Sequence, residues 1–214
     1  MIAQEIRQAV TIKLGDINLK GDLIIPENPA GIVLFSHGSG SSRLSPRNNY
    51  VAEVLQGNGL ATLLFDLLTE EEERINHMRF DIDLLTRRLI GATKWIKELP
   101  ETNTLPIGYF GASIGAASAL RAAAFFKDEV SVVVSRGGRP DLAMKEVDKV
   151  TASTLLIVGG NDELVIKFNK KAFQQMQCDA KLEIIPGASH LFAEPGALEQ
   201  VAKISANWFN EKLT

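Results

Sequence analysis

Ser113 stands between two glycines, in the run Gly111-Ala112-Ser113-Ile114-Gly115. A serine hydroxyl is a poor nucleophile until a base removes its proton. Flanking glycines suit a turn so tight that side chains at 111 and 115 would collide with the neighbouring strand or helix. The serine is then expected in a strained backbone conformation. The helix after it would point its positive end at any negative charge developing on a substrate. Gly, Ala and Ser are common residues, so the pentapeptide gains weight only from its surroundings.

The chain has three histidines to serve as the base. His77 falls in a stretch read as solvated loop. His37, in "SHGSGSS", ends an apolar run and is expected to brace its loop. His190, in "PGASHLF", lies between the last expected strand and the last helix, and is the candidate general base. Such a base needs a carboxylate to orient it and to stabilise its cation. Asp162, in "VGGNDELV", follows a strand and precedes His190; Asp66, ending another apolar run, competes for the role. The order Ser…Asp…His is the one expected when the serine sits on a strand-to-helix elbow.

Hydrolysis of an ester or amide also needs donors for an oxyanion. The backbone N–H groups of Ser39, in "HGSGSS", and of Ile114 are the expected pair. A Gly/Ser loop after a strand can equally cradle a phosphate. The nucleotide patterns G-x-x-x-x-G-K-[ST] and G-x-G-x-x-G are absent from the chain. Arg136 and Arg139 follow an apolar strand, and one of them is a candidate partner for a carboxylate on the substrate. The plainer alternative is that both are solvated or structural.

The elements that must position these groups can be read from periodicity. Strands are expected near 5–14 and 17–25, joined at Gly15-Asp16 as a hairpin. Continuously apolar runs at 31–38, 60–68, 106–113, 130–135, 153–160 and 180–187 suit strands buried on both faces. Helices are expected from Ser45-Pro46 to Gly57 or Gly59, near 80–98, 114–126, 165–177 and 195–211. Strands alternating with helices imply an α/β fold, a mainly parallel sheet with helices on both faces and an antiparallel N-terminal hairpin. Ser113, Asp162, His190, the 37–42 loop and both arginines then share the carboxyl edge of the sheet, where chemistry gathers in such folds.

Composition sets the outer bounds. The 214 residues, 45% hydrophobic and 23% charged, read as one domain over 1–214. A net charge of −3 argues against nucleic acid as the main partner. The start "MIAQEIRQAVTIKL" has neither the basic nor the apolar region of a secretory leader, and no run of about 18 apolar residues exists to span a membrane. One cysteine, Cys178, permits no internal disulfide, which fits a reducing, cytoplasmic setting. Three scattered histidines give no metal-ligand cluster, and no cofactor is implied. A homodimer is compatible with all of this.

With these residues in view, the sequence resembles the α/β-hydrolase superfamily, and within it the dienelactone-hydrolase-like group. "FSHGSGSS", "GASIG", "GGNDELV" and "GASHLF" are similar to the family's oxyanion, nucleophile, acid and base segments in turn. True dienelactone hydrolases carry cysteine in the elbow, so Ser113 implies a general carboxylesterase acting on a small-molecule ester. The segment "VVSRGGRPDLA" resembles relatives that can be fused to a phosphoribosyltransferase-like domain. Only 136–152 separates two strands where many relatives insert a helical cap, so no separate cap domain is expected, and the site should be open. The implied chemistry is acyl transfer through Ser113. A thioesterase, a peptidase or a non-catalytic ligand-binding module on the same scaffold remain alternatives.

Overall fold

A computed structural model describes residues 4–213. Residues 1–3, part of the stretch read for a leader, and Thr214 lie outside the described residues. Eight strands form one sheet, β1 (Ile6–Leu14), β2 (Ile17–Ile25), β3 (Gly31–Ser36), β4 (Leu60–Phe65), β5 (Ile107–Ala112), β6 (Val130–Arg136), β7 (Ser153–Gly159) and β8 (Ala180–Ile185). Their spatial order is β1-β2-β4-β3-β5-β6-β7-β8. The first two strands pair antiparallel, and β2 pairs antiparallel with β4. From β4 to β8 every pairing is parallel. β3, β4 and β5 are buried along their whole length, as their unbroken apolar runs imply.

Six α-helices accompany the sheet: α1 (Pro46–Gly57), α2 (Glu70–Glu73), α3 (Ile82–Glu98), α4 (Ile114–Phe126), α5 (Glu163–Phe173) and α6 (Ala197–Lys212). Two separate apolar cores lie against the sheet. One gathers Leu85, Leu89 and Ile96 of α3 with Ala119 and Leu120 of α4 and the hairpin residues Ile12 and Leu23. The other joins Val51 and Leu55 of α1 to Val201 and Phe209 of α6. Helices therefore cover both faces, and this is the α/β-hydrolase architecture.

The observed strands stop one to three residues short of several expected ends. Leu67 and Leu68 remain buried but leave the ladder after Phe65. Apolar periodicity registers burial, and a buried loop reads like the end of a buried strand. The helix expected at 80–98 begins at Ile82, because the Asp81 carboxylate caps it by accepting from the Leu84 N–H at 2.9 Å. The acidic run 69–74 forms one helical turn closed by a capping box between Thr69 and Glu72. Between β6 and β7 the chain makes only two 3₁₀ turns, Pro140–Ala143 and Val147–Lys149.

Phe209 ties α6 to the centre of the sheet. It is fully buried, and a Cβ added at Gly108 of β5 would lie 2.7 Å from its ring. Phe209→Ala is expected to lower the unfolding free energy by about 3–5 kcal/mol. Urea denaturation of wild type and variant measures this directly.

Candidate active site

Ser113 connects β5 to α4 with φ 53° and ψ −121°. That region costs an L-residue about 1–3 kcal/mol, so neighbours must hold it in place. Besides the Ala116 N–H of α4, which donates to the Ser113 carbonyl at 3.1 Å, two backbone hydrogen bonds with the end of β6 and the segment after it do so. The Ser113 N–H donates to the Arg136 carbonyl at 3.1 Å, and the Arg139 N–H donates to the Ser113 carbonyl at 3.0 Å. The glycines remove competing bulk, as expected from the sequence. A Cβ at Gly115 would overlap the Ser36 carbonyl oxygen of β3, and one at Gly111 would overlap the α4 backbone at Ala116.

His190 emerges between β8 and α6. Its Nδ1 lies 2.6 Å from Asp162 Oδ2, and its Nε2 lies 3.3 Å from Ser113 Oγ. The short bond to a carboxylate places the proton on Nδ1 and leaves Nε2 free to accept from a hydroxyl. Asp162 precedes α5 at its N-cap position, yet its side chain does not cap the helix. The carboxylate faces His190 instead. The two loops are stitched together. Asn161 donates through its backbone N–H to the Ala188 carbonyl at 2.9 Å and through Nδ2 to the Gly187 carbonyl at 2.8 Å. Gly137, at φ 54°, packs closely on the base loop, since a Cβ there would sit 3.2 Å from the His190 carbonyl oxygen.

Asp66, the rival for the acid role, is occupied elsewhere. It accepts from Arg43 Nη1 at 2.7 Å and from the Arg43 N–H at 2.9 Å. His77 is exposed in a 3₁₀ turn. His37 braces its loop. Its Nδ1–H donates to the Gly38 carbonyl at 2.9 Å, and the Leu67 N–H donates to its Nε2 at 3.0 Å. Burial pushes the His37 ring below its ordinary value, chiefly by desolvating the cation.

The Ile114 N–H opens α4 and has no intrahelical acceptor. Ser39 lines a cavity of about 240 Å³ together with Ser113 and His190. Ser41, Ser45, Arg47 and Arg136 also line it, and its apolar side chains are those of Ala112 and Leu191. Arg139 does not line it. Its guanidinium makes two bonds to Asp141, at 2.8 and 2.7 Å, and lies 4.9 Å from the centre of the Phe168 ring. The expectation of a substrate-facing Arg139 side chain is thus corrected. The fork is consumed by a carboxylate two residues away, and only the Arg139 backbone serves the site. Arg47 was missed from the sequence. Its signal was its place on the first turn of the helix that follows the "HGSGSS" loop. A neighbouring cavity of about 390 Å³ shares Ser41 and is walled by Arg43, Glu70, Glu73, Arg74 and Arg79 among others.

The fold and this edge geometry are those of the α/β-hydrolase class. Residues 20–213 match the dienelactone hydrolase family, and the chain belongs to that family. It is similar to the dienelactone hydrolase of Anabaena variabilis, 57% identical, with a TM-score of 0.96 and coverage of 99% of this chain and 100% of that one. It is 55% identical over 206 residues to a Mycobacterium tuberculosis protein named as a phosphoribosyl transferase, found in two strains. That match covers 96% of this chain and 46% of the mycobacterial protein, so the chain spans about half the length of those curated relatives. Est1E of Butyrivibrio proteoclasticus shares the fold at 19% identity, with a TM-score of 0.82 and coverage of 95% and 98%. Among the described residues no helix is long and apolar enough to cross a membrane.

The His37 clamp has a pH signature. The folded ring stays neutral because its Nε2 is an acceptor, whereas the unfolded ring takes up a proton near 6.5. Its contribution is complete above that value and is lost as pH falls below it. His37→Gln should therefore flatten the pH dependence of stability as pH falls below about 6.5. Urea midpoints measured across that window in both proteins test this.

Proposed function

We propose that this chain hydrolyses small carboxylic esters through an acyl-enzyme on Ser113. The single observation that carries the proposal is the continuous line Ser113 Oγ–His190 Nε2 and His190 Nδ1–Asp162 Oδ2, at 3.3 and 2.6 Å. Ser113 Oγ attacks the ester carbonyl while His190 Nε2 takes its proton, and Asp162 stabilises the resulting imidazolium. The tetrahedral oxyanion accepts from the Ser39 and Ile114 N–H groups. The intermediate collapses with loss of the alcohol, which leaves with the proton held by His190. His190 then deprotonates a water that attacks the acyl-enzyme, releasing the acid and restoring the Ser113 hydroxyl. Every proton moves among Ser113, His190, the substrate and the attacking water, so the cycle as written uses neither metal nor cofactor.

The same proposal takes the chain as one catalytic domain working on a small-molecule substrate in the cytoplasm. A thioesterase or peptidase would use the same machinery, and a panel of acyl substrates separates them. The transferase name stays with the mycobacterial proteins, which are about twice this length.

Ser113→Ala and His190→Ala should each lower kcat by about three orders of magnitude or more with the fold intact. Asp162→Asn should cost roughly three to four orders, because the amide favours the wrong imidazole tautomer. A fluorophosphonate probe should label wild type and not Ser113→Ala. A Ser113→Ala variant that keeps more than about a tenth of wild-type activity sinks the mechanism.

Acyl length is the second expectation. The cavity of about 240 Å³ is small and of mixed lining, with Ala112 and Leu191 among serine and arginine side chains. Burying a methylene stabilises by only about 0.8 kcal/mol even when complete, and the volume here has no room for a long chain. Acyl groups of roughly two to six carbons should be preferred. A kcat/KM for p-nitrophenyl esters that keeps rising through long chains, or activation at a lipid–water interface, would contradict this.

A further inference from the structure

We propose that Arg136 and Arg47 form an anion subsite within the Ser113 cavity, and that the substrate is a small ester bearing a phosphate group. This rests on the esterase proposal for the same cavity and adds the class of substrate.

Arg136 is only 8% exposed, ends β6 and lines the cavity beside Ser113. Its Nε and Nη1 are buried with no partner among the described residues. Its one side-chain contact is long, Nη2 to Asn48 Oδ1 at 3.4 Å. No described carboxylate pairs with it, and the charge acting on it is another cation, Arg47. Burial, reinforced by Arg47, pushes the Arg136 guanidinium down to about 10. Arg47 also lines the cavity, and its Nε is likewise buried without a partner.

Elsewhere the chain neutralises its part-buried arginines. Arg43 pairs with Asp66, Arg88 with Glu72, Arg121 with Asp83 and Arg139 with Asp141. Arg136 is the most buried arginine and has no such partner. A buried guanidinium without a counter-ion, beside the half-buried cation of Arg47, is repelled by it and carries unsatisfied donors, which a protein tolerates where a ligand completes the site.

The ligand chemistry follows from the donors. A guanidinium fork matches two oxygens of a carboxylate or a phosphate. Two such forks carry two positive charges, which a phosphate dianion balances and a carboxylate balances by half. A phosphate also offers three terminal oxygens to the unpartnered N–H groups and to the nearby hydroxyls of Ser39 and Ser41. Arg47 stands at the start of α1, a helix of 12 residues whose N-terminal end favours the same charge. Because the phosphate and the ester must share about 240 Å³, only a short linker separates them.

The test uses inorganic phosphate first. Isothermal titration with wild-type protein at constant ionic strength should show binding, and phosphate should inhibit p-nitrophenyl acetate hydrolysis competitively. Arg136→Gln and Arg47→Gln should each weaken both effects at least tenfold. Arg47 is half-buried on α1, so its variant keeps the test decisive if Arg136→Gln does not fold. Next, kcat/KM for acetylated glycerol phosphate should exceed that for glycerol monoacetate at least tenfold, and the ratio should fall towards one in Arg47→Gln. Equal rates on both esters with no phosphate binding overturn the subsite. A greater preference for a succinate half-ester than for the phosphate ester overturns the phosphate assignment. Phosphate binding in a protein that hydrolyses no ester and resists the fluorophosphonate probe overturns the esterase proposal and leaves the subsite standing.

Discussion

Ser113 holds a left-handed backbone conformation, and much of the carboxyl edge of the sheet is arranged to keep it there. Its peptide N–H and carbonyl are both clamped by the segment that leaves β6, through the Arg136 carbonyl and the Arg139 N–H. Gly115 lets α4 press against the end of β3, where any side chain would overlap the Ser36 carbonyl. The strain is thus offset by packing and hydrogen bonds that span three adjacent strands, β3, β5 and β6. The return is geometric. The hydroxyl stands clear of its own helix and meets His190 at 3.3 Å.

The parallel order explains why so few residues suffice. β3, β5, β6, β7 and β8 are consecutive neighbours. The segments after them therefore lie side by side although they are scattered along the chain. Each contributes one part: the Gly38–Ser39 backbone, Ser113, the Arg136–Arg139 clamp, Asp162 and His190. Secondary groups fix these loops and leave the reacting atoms free. His37 ties the end of β3 to Leu67 after β4, and Asn161 ties the acid loop to the base loop.

Charge is distributed by the same economy. Asp162 spends its carboxylate on His190 and leaves α5 without a side-chain cap. Asp66 spends its own on Arg43, and Asp141 on Arg139. Among the described residues the cavity is consequently left with two arginines and no carboxylate in its lining. A site built to bury a long acyl chain would show an apolar wall at this position, because apolar area drives such burial. Here the space is small, and serine and arginine side chains share its wall with Ala112 and Leu191.

The sequence by itself determined the elements and the grouping of Ser113, Asp162 and His190 on one edge. Continuous apolar runs and small-residue punctuation are local properties, and a parallel sheet sends every strand's carboxyl end the same way. Strand ends were overrun at Leu67 and Leu68 because apolar periodicity cannot separate a buried loop from a buried strand. Partner choice was also beyond local reading. Asp66 and Asp162 both follow apolar strands; chain order favours Asp162 as the partner of His190, but only the packed structure shows Asp66 engaged by Arg43. Arg136 and Arg139 are three residues apart and alike in sequence context, yet one guanidinium meets Asp141 while the other is buried with unpartnered N–H groups beside Arg47. Electrostatic environment depends on which side chains converge in space and on how much water they exclude, and tertiary structure alone decides both.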